Sequence, residues 1–356
     1  MTSDSTSPFA RVQTLLRDAV DRGVFPCATL EVGTGDDVRF HDACGRLTYD
    51  PTTPAATIET VFDLASLTKV LATTTVVMQL VDQGRLRLDD PVSRWLDGWQ
   101  RDDRHTVTLA DLLEHASGLT AHLPFFRDHT GRADFQYAIS TLPLEYPPRT
   151  QSMYSDLGFI LLGFLVADAA GGVGLDRQFS DIVERLQVGD LRYRPPFDWR
   201  PRTAPTEVEA WRGRLLCGEV HDENGWALGG IAGHAGLFGT APAVGRFARA
   251  LLQTLAGRPL VAQPATLARF LTHTTVPGSS RALGWDTMLA TSSCGRRLSP
   301  DSIGHTGFTG TSLWIDPQRD LYVVLLTNRV HPSRDNEAIL SLRPALHDAV
   351  VEALTR

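Results

Sequence analysis

The chain has 356 residues, 42% of them hydrophobic and 21% charged, with 34 basic and 41 acidic side chains and a net charge of −7. That length predicts about two domains, or one large domain with an insertion, and the composition excludes a disordered or collagen-like chain. The acidic balance argues against a nucleic-acid partner, and the longest apolar stretch, residues 159–167, is too short for a membrane span of about 20 residues.

In chain order, residues 1–8 are polar, with no basic and apolar regions of a secretory signal, which predicts a cytoplasmic location. Residues 8–23 read as an amphipathic helix, with Phe9, Val12, Leu15, Leu16 and Val20 at helical spacing and Gly23 as its stop. Residues 27–33 and 38–44 read as two strands joined by the turn Thr34-Gly35-Asp36-Asp37. Residues 67–84 predict a buried central helix, because little of its surface beyond the apolar stripe is charged. From about 89 to 229, short helices alternate with loops; 109–115 and 158–169 are the clearest helices, and 195–205 reads as surface loop. A helix at 243–255 follows, then a hairpin of 312–316 and 321–328, then a closing helix at about 344–354. Strands at both ends and helices between them predict an α+β fold. In it an antiparallel β-sheet is flanked by terminal helices and carries a large, mostly helical inserted region. The sheet part would comprise 1–63 with 240–356 and the helical part 64–239, with the active site in the cleft between them. The four cysteines, Cys27, Cys44, Cys217 and Cys294, are too dispersed for a zinc site or a disulfide scaffold and are expected to be free thiols.

Among the 34 basic residues only Lys69 is a lysine. Arginine is effectively never deprotonated, whereas a lysine amine loses its proton when buried or beside other cations. A lone lysine in an arginine-rich chain is either a chance survivor or a site that needs a neutral amine. Lys69 closes the run Ser66-Leu67-Thr68-Lys69 at the head of the buried helix. That spacing puts a hydroxyl and an amine on one helix face, where the amine can activate the hydroxyl as a nucleophile. Tyr154-Ser155-Asp156 stands at a loop-to-helix junction, so Tyr154 is either a proton shuttle in a cleft or a core tyrosine followed by a capping aspartate. The run 304–311, Gly-His-Thr-Gly-Phe-Thr-Gly-Thr, is either a glycine-flanked strand that a substrate approaches closely or an ordinary edge strand.

These three elements together resemble the serine β-lactamase and penicillin-binding-protein superfamily, in its class C β-lactamase, DD-peptidase and esterase branch. Ser66, Tyr154 and His305 follow in the branch's order and spacing, and Phe62-Asp63-Leu64-Ala65, Glu114-His115-Ala116-Ser117-Gly118 and Gly236-Leu237-Phe238 are also similar to it. The resemblance implies Ser66 as acylated nucleophile, Lys69 as its base and Tyr154 as proton shuttle. It further implies an oxyanion hole of the Ser66 and Phe308 N–H groups, a substrate strand of Thr306 and Gly307, and no cofactor or metal. Two positions depart from it. Asp156 replaces the branch's asparagine and should raise the Lys69 pKa; His305 replaces its K-T-G lysine and weakens any carboxylate clamp.

A polar run, 218–224, and a glycine-rich run, 229–236, resemble a subgroup linked to cell-wall fragments. In them His221, Asp222 and His234 either contact substrate or brace the loop. The expected function is a serine hydrolase acting on a small ester or amide, such as a muropeptide-like fragment. A DD-carboxypeptidase or slow β-lactamase is the alternative. A metallohydrolase is disfavoured: His115, His122 and His129 recur every seven residues, but Pro124 and Gly131 interrupt any helix carrying them. A binding module that has lost its chemistry is the remaining class; the intact Ser66, Lys69 and Tyr154 argue against it.

Overall fold

The computed structural model describes residues 7–355. Its strands are β1 (Cys27–Gly33), β2 (Val38–Gly45), β3 (Phe62–Asp63), β4 (Leu191–Tyr193), β5 (Val208–Glu209), β6 (Arg214–Leu215), β7 (Leu237–Gly239), β8 (Asp286–Thr287), β9 (Ile303–Thr306), β10 (Ser312–Asp316) and β11 (Leu321–Thr327). Its α-helices are α1 (Ala10–Asp21), α2 (Thr75–Asp82), α3 (Leu109–Leu113), α4 (Gly131–Thr141), α5 (Asp156–Ala169), α6 (Leu175–Leu186), α7 (Glu223–Ala227), α8 (Ala241–Leu255), α9 (Pro264–Phe270) and α10 (Ile339–Leu354). The main sheet runs β2-β1-β11-β10-β9-β8 and every pairing in it is antiparallel, so the two chain ends meet at β1 and β11. Both strands are buried along their whole length, because each face of the sheet is covered. On one face, Val12 and Leu16 of α1 and Leu342, Leu346 and Val350 of α10 pack with Leu30, Trp314 and Val323. On the other, Val244 and Phe247 of α8 pack with Tyr322 and Val324. The expected α+β class and the antiparallel sheet between terminal helices are observed.

Several differences have local causes. The central helix has a π-helical segment at Lys69–Thr74 before α2; a period of 3.6 gives no warning of such a turn, which often marks a functional site. α10 begins at Ile339, ahead of Pro344, because the buried residues Ile339 and Leu342 extend its apolar stripe past the proline. The stretch read as surface loop contains a short 3₁₀ helix, Phe197–Arg202, and then turns inward, where Ala204 N–H donates to the Val61 carbonyl (2.9 Å). A small sheet, β3-β7-β4, was not anticipated; its strands have only two or three residues, too few to show alternation. It fixes Phe62–Asp63, the run that leads directly to Ser66.

Candidate active site

Asp63 leads out of β3, and its buried carboxylate accepts from the N–H groups of Ala65 (2.8 Å) and His221 (2.6 Å). This holds Ala65 at φ +46°, a left-handed conformation that costs an alanine about 1 kcal/mol or more. The turn presents Ser66 at the head of the central helix. From the sheet side, Thr309 Oγ1 donates to the Asp63 carbonyl (2.7 Å) and Thr311 Oγ1 to that of Leu64 (3.0 Å). Gly307 lies against the same strand, where a Cβ would collide with Thr311 Oγ1 and the Leu64 carbonyl. The two parts of the chain that carry the expected chemistry are thereby tied together.

Ser66 Oγ accepts from Lys69 Nζ (2.9 Å) and Tyr154 Oη (2.8 Å). Lys69 is fully buried, and its Nζ also donates to Asp156 Oδ1 (2.7 Å) and the His234 carbonyl (3.2 Å). All three ammonium protons therefore have acceptors. Burial pushes the Lys69 pKa down, but the Asp156 carboxylate and the Tyr154 oxygen outweigh it and the net shift is upward. The neutral amine suggested by the lone lysine is thus not the resting state. Asp156 itself is held well below the usual carboxylate range, since Lys69 and His122 overcome its burial. His122 Nδ1 lies 3.6 Å from its other oxygen.

Tyr154 is positioned by rings and charge. His115 lies 4.8 Å from its ring centroid, His305 5.8 Å, and the Arg281 guanidinium 4.9 Å. Burial raises the phenol pKa, against the opposing pull of Lys69, so the group is protonated at neutral pH.

The site opens into a cleft of about 620 Å³ lined by Ser66, Tyr154, Asp156, His221, Asp222, His305, Thr306, Gly307 and Phe308, with Arg281, Arg329, Arg334 and Arg343. Neither the Ser66 nor the Phe308 N–H has an acceptor among the described residues, so both are free to receive an oxyanion. The Phe308 ring is half exposed, sandwiched between His221 (5.7 Å) and the Arg329 guanidinium (4.4 Å).

Several of the candidate substrate contacts are engaged within the protein. His305 is buried, and its pKa is pushed down to about 4, first by burial and then by Arg281 and Lys69, so it is neutral at neutral pH and provides no cationic clamp. Cationic groups reach the cleft instead from arginines that sequence reading did not single out among 33. His234 is buried, does not line the cleft, and pairs through Nε2 with Asp222 (2.8 Å). It braces the segment whose carbonyl accepts from Lys69. His221 and Asp222 do line the cleft, but both are also committed to bracing. His221 Nε2 meets Glu207 (2.8 Å), and Asp222 caps α7 through the Gly225 N–H (2.6 Å). Among the described residues no group of three or more His, Cys, Asp or Glu is arranged to hold a metal, and no helix is long and apolar enough to cross a membrane.

This architecture is that of a known family: the Beta-lactamase family model matches residues 12–346, and the chain belongs to that family. A Salmonella gallinarum (strain 287/91 / NCTC 13346) protein described as "Putative D-alanyl-D-alanine carboxypeptidase" is 29% identical over 359 residues, covering 90% of this chain and 82% of its own. An Escherichia coli (strain K12) protein with the same description is 29% identical over 307 residues, covering 78% and 70%. Among solved structures, "EstCE1, a hydrolase with promiscuous acyltransferase activity" superposes with a TM-score of 0.76 at 23% identity, covering 97% of this chain and 98% of its own. Unliganded simvastatin synthase (LovD) from Aspergillus terreus gives 0.75 at 21%, covering 98% of both chains. At those identities the structural likeness establishes the fold.

Proposed function

We propose that the protein is a serine hydrolase that works through an acyl-enzyme on Ser66. The observation that carries this is the convergence of Lys69 Nζ and Tyr154 Oη on Ser66 Oγ, at 2.9 and 2.8 Å, beside two unengaged N–H groups. Because Asp156 keeps Lys69 charged, proton transfer runs through the phenol. As Ser66 Oγ attacks a carbonyl carbon, its proton passes to Tyr154 Oη, and the proton Tyr154 carried passes to the leaving group. Lys69 stabilises the negative charge that passes between the two oxygens. The Ser66 and Phe308 N–H groups receive the carbonyl oxygen as it becomes an oxyanion. Deacylation reverses the relay, with water in place of the leaving group.

The substrate class is a small ester or amide, including cell-wall-derived fragments. The description shared by the two bacterial relatives favours a second reading, a D-alanyl-D-alanine carboxypeptidase, and four cleft arginines suit a carboxylate-bearing peptide. Turnover of p-nitrophenyl acetate, a D-Ala-D-Ala peptide and nitrocefin by wild type and Ser66→Ala tests both. Ester hydrolysis lost in Ser66→Ala supports the first reading, and preferential peptide cleavage supports the second. Activity unchanged in Ser66→Ala would refute the acyl-enzyme.

A further inference from the structure

One buried cation at this cleft has no role in the relay. Arg343 projects from α10 and is 5% exposed. Its Nη2 donates to the carbonyl oxygens of Gly307 (3.2 Å) and Thr311 (3.0 Å). Its Nε is buried without a partner, and the charge that weighs on it is another cation, Arg329. Burial and Arg329 bring its pKa down to about 10, so it remains charged at neutral pH. An uncompensated buried charge is expensive for a fold, and only a group that opposes it recovers that energy.

The Gly307 carbonyl and the Phe308 N–H are the two ends of one peptide group. A guanidinium at the oxygen end draws electron density toward itself and polarises the N–H at the other end; hydrogen bonds in series strengthen one another in this way. The Gly310 N–H donates to the same carbonyl (3.0 Å), which fixes the plane of that peptide. We propose that Arg343 is a positioning residue that charges the oxyanion hole through the Gly307–Phe308 peptide. This rests on the acyl-enzyme reading above. Among the described residues no carboxylate pairs with it, so its field stays available until the substrate carbonyl oxygen becomes negative, and it stabilises the transition state more than the bound substrate. Arg329 Nε, which donates to the Phe308 carbonyl (2.8 Å), holds the next peptide in line.

The test compares wild type, Arg343→Gln, Arg343→Lys and Ser66→Ala on p-nitrophenyl acetate, which has no carboxylate. Arg343→Gln should lose about 10- to 100-fold in kcat, with KM within about twofold, and Arg343→Lys should recover part of the loss. The carbonyl stretch of the acetyl-enzyme should lie at lower frequency in folded than in unfolded wild type, and Arg343→Gln should move it back toward the unfolded value. A purely structural arginine would alter melting without moving that band. A folded Arg343→Gln with wild-type kcat and an unshifted band overturns the proposal. So does a loss confined to KM for carboxylate-bearing substrates. If neither variant folds, the wild-type band decides: no difference between folded and unfolded acetyl-enzyme overturns it. Ser66→Ala as active as wild type would instead refute the acyl-enzyme itself, so the two failures are distinguishable.

Discussion

Two buried cations, Lys69 behind Ser66 and Arg343 behind the Gly307–Phe308 peptide, have partners that are opposite in kind. Lys69 has a carboxylate at 2.7 Å and an acceptor for each of its three protons. Arg343 has carbonyl acceptors, an unpartnered Nε and a second cation nearby. A neutralised cation is a geometric device: it holds Ser66 and, in the proposed reaction, fixes the path of a proton. An unneutralised one retains its field for a charge that exists only during reaction. His305 is neutral chiefly because it is buried, and the nearby Arg281 and Lys69 add to that effect.

The largest expected effect is on the group both cations serve. Ser66→Ala should lower kcat by about 10³-fold or more, read by steady-state ester hydrolysis. Next is Lys69→Arg, about 10²-fold, because a planar guanidinium cannot reproduce the three bonds that one buried ammonium makes to Ser66, Asp156 and the His234 carbonyl. Asp156→Asn sharpens the comparison by removing the neutralising partner. Burial then acts on Lys69 with only Tyr154 left to oppose it, and its pKa falls. If the ammonium is the working form, the alkaline limb of the kcat/KM profile moves to lower pH and neutral-pH activity falls, by about tenfold. If a neutral amine were the base, neutral-pH activity would rise.

His305→Lys should lower stability by about 1–3 kcal/mol without improving the affinity for carboxylate substrates, and thermal melts with KM measurements check both. The last prediction concerns folding with pH rather than turnover. Burial pushes His305 and His347 down to about 4 and His115 well below its ordinary 6.5. The unfolded chain binds these protons first as pH falls below about 6.5. Stability is therefore full above that pH and is lost on acidification toward 4, by up to about a factor of ten in the folding constant per histidine per pH unit. Thermal melts across pH 4–7 measure it.

Ser66, Lys69 and Tyr154 were legible as a group because their types and order are set along the chain, and the structure brings them together. Both cues bearing on Lys69 were also legible, and they conflicted. Its uniqueness suggested a neutral amine, while Asp156 two residues after Tyr154 suggested a charged one. Only the 2.7 Å contact decided between them. Arg343 carried no cue, because its importance lies in the partner it lacks, which is a tertiary property. Asp63 was seen only as part of a familiar phrase, although its carboxylate accepts from both the Ala65 N–H and that of His221, 158 residues further along the chain. His234 was visible as a polar residue in a glycine-rich run, but which way its ring turned depended on Asp222.

The most direct measurement is intact-mass and peptide-level mass spectrometry of the folded protein after treatment with a fluorophosphonate, with Ser66→Ala in parallel. One adduct per chain, located on Ser66 and missing from the variant, is the predicted result. A folded wild-type protein that stays unlabelled, or carries the label elsewhere, would contradict the account.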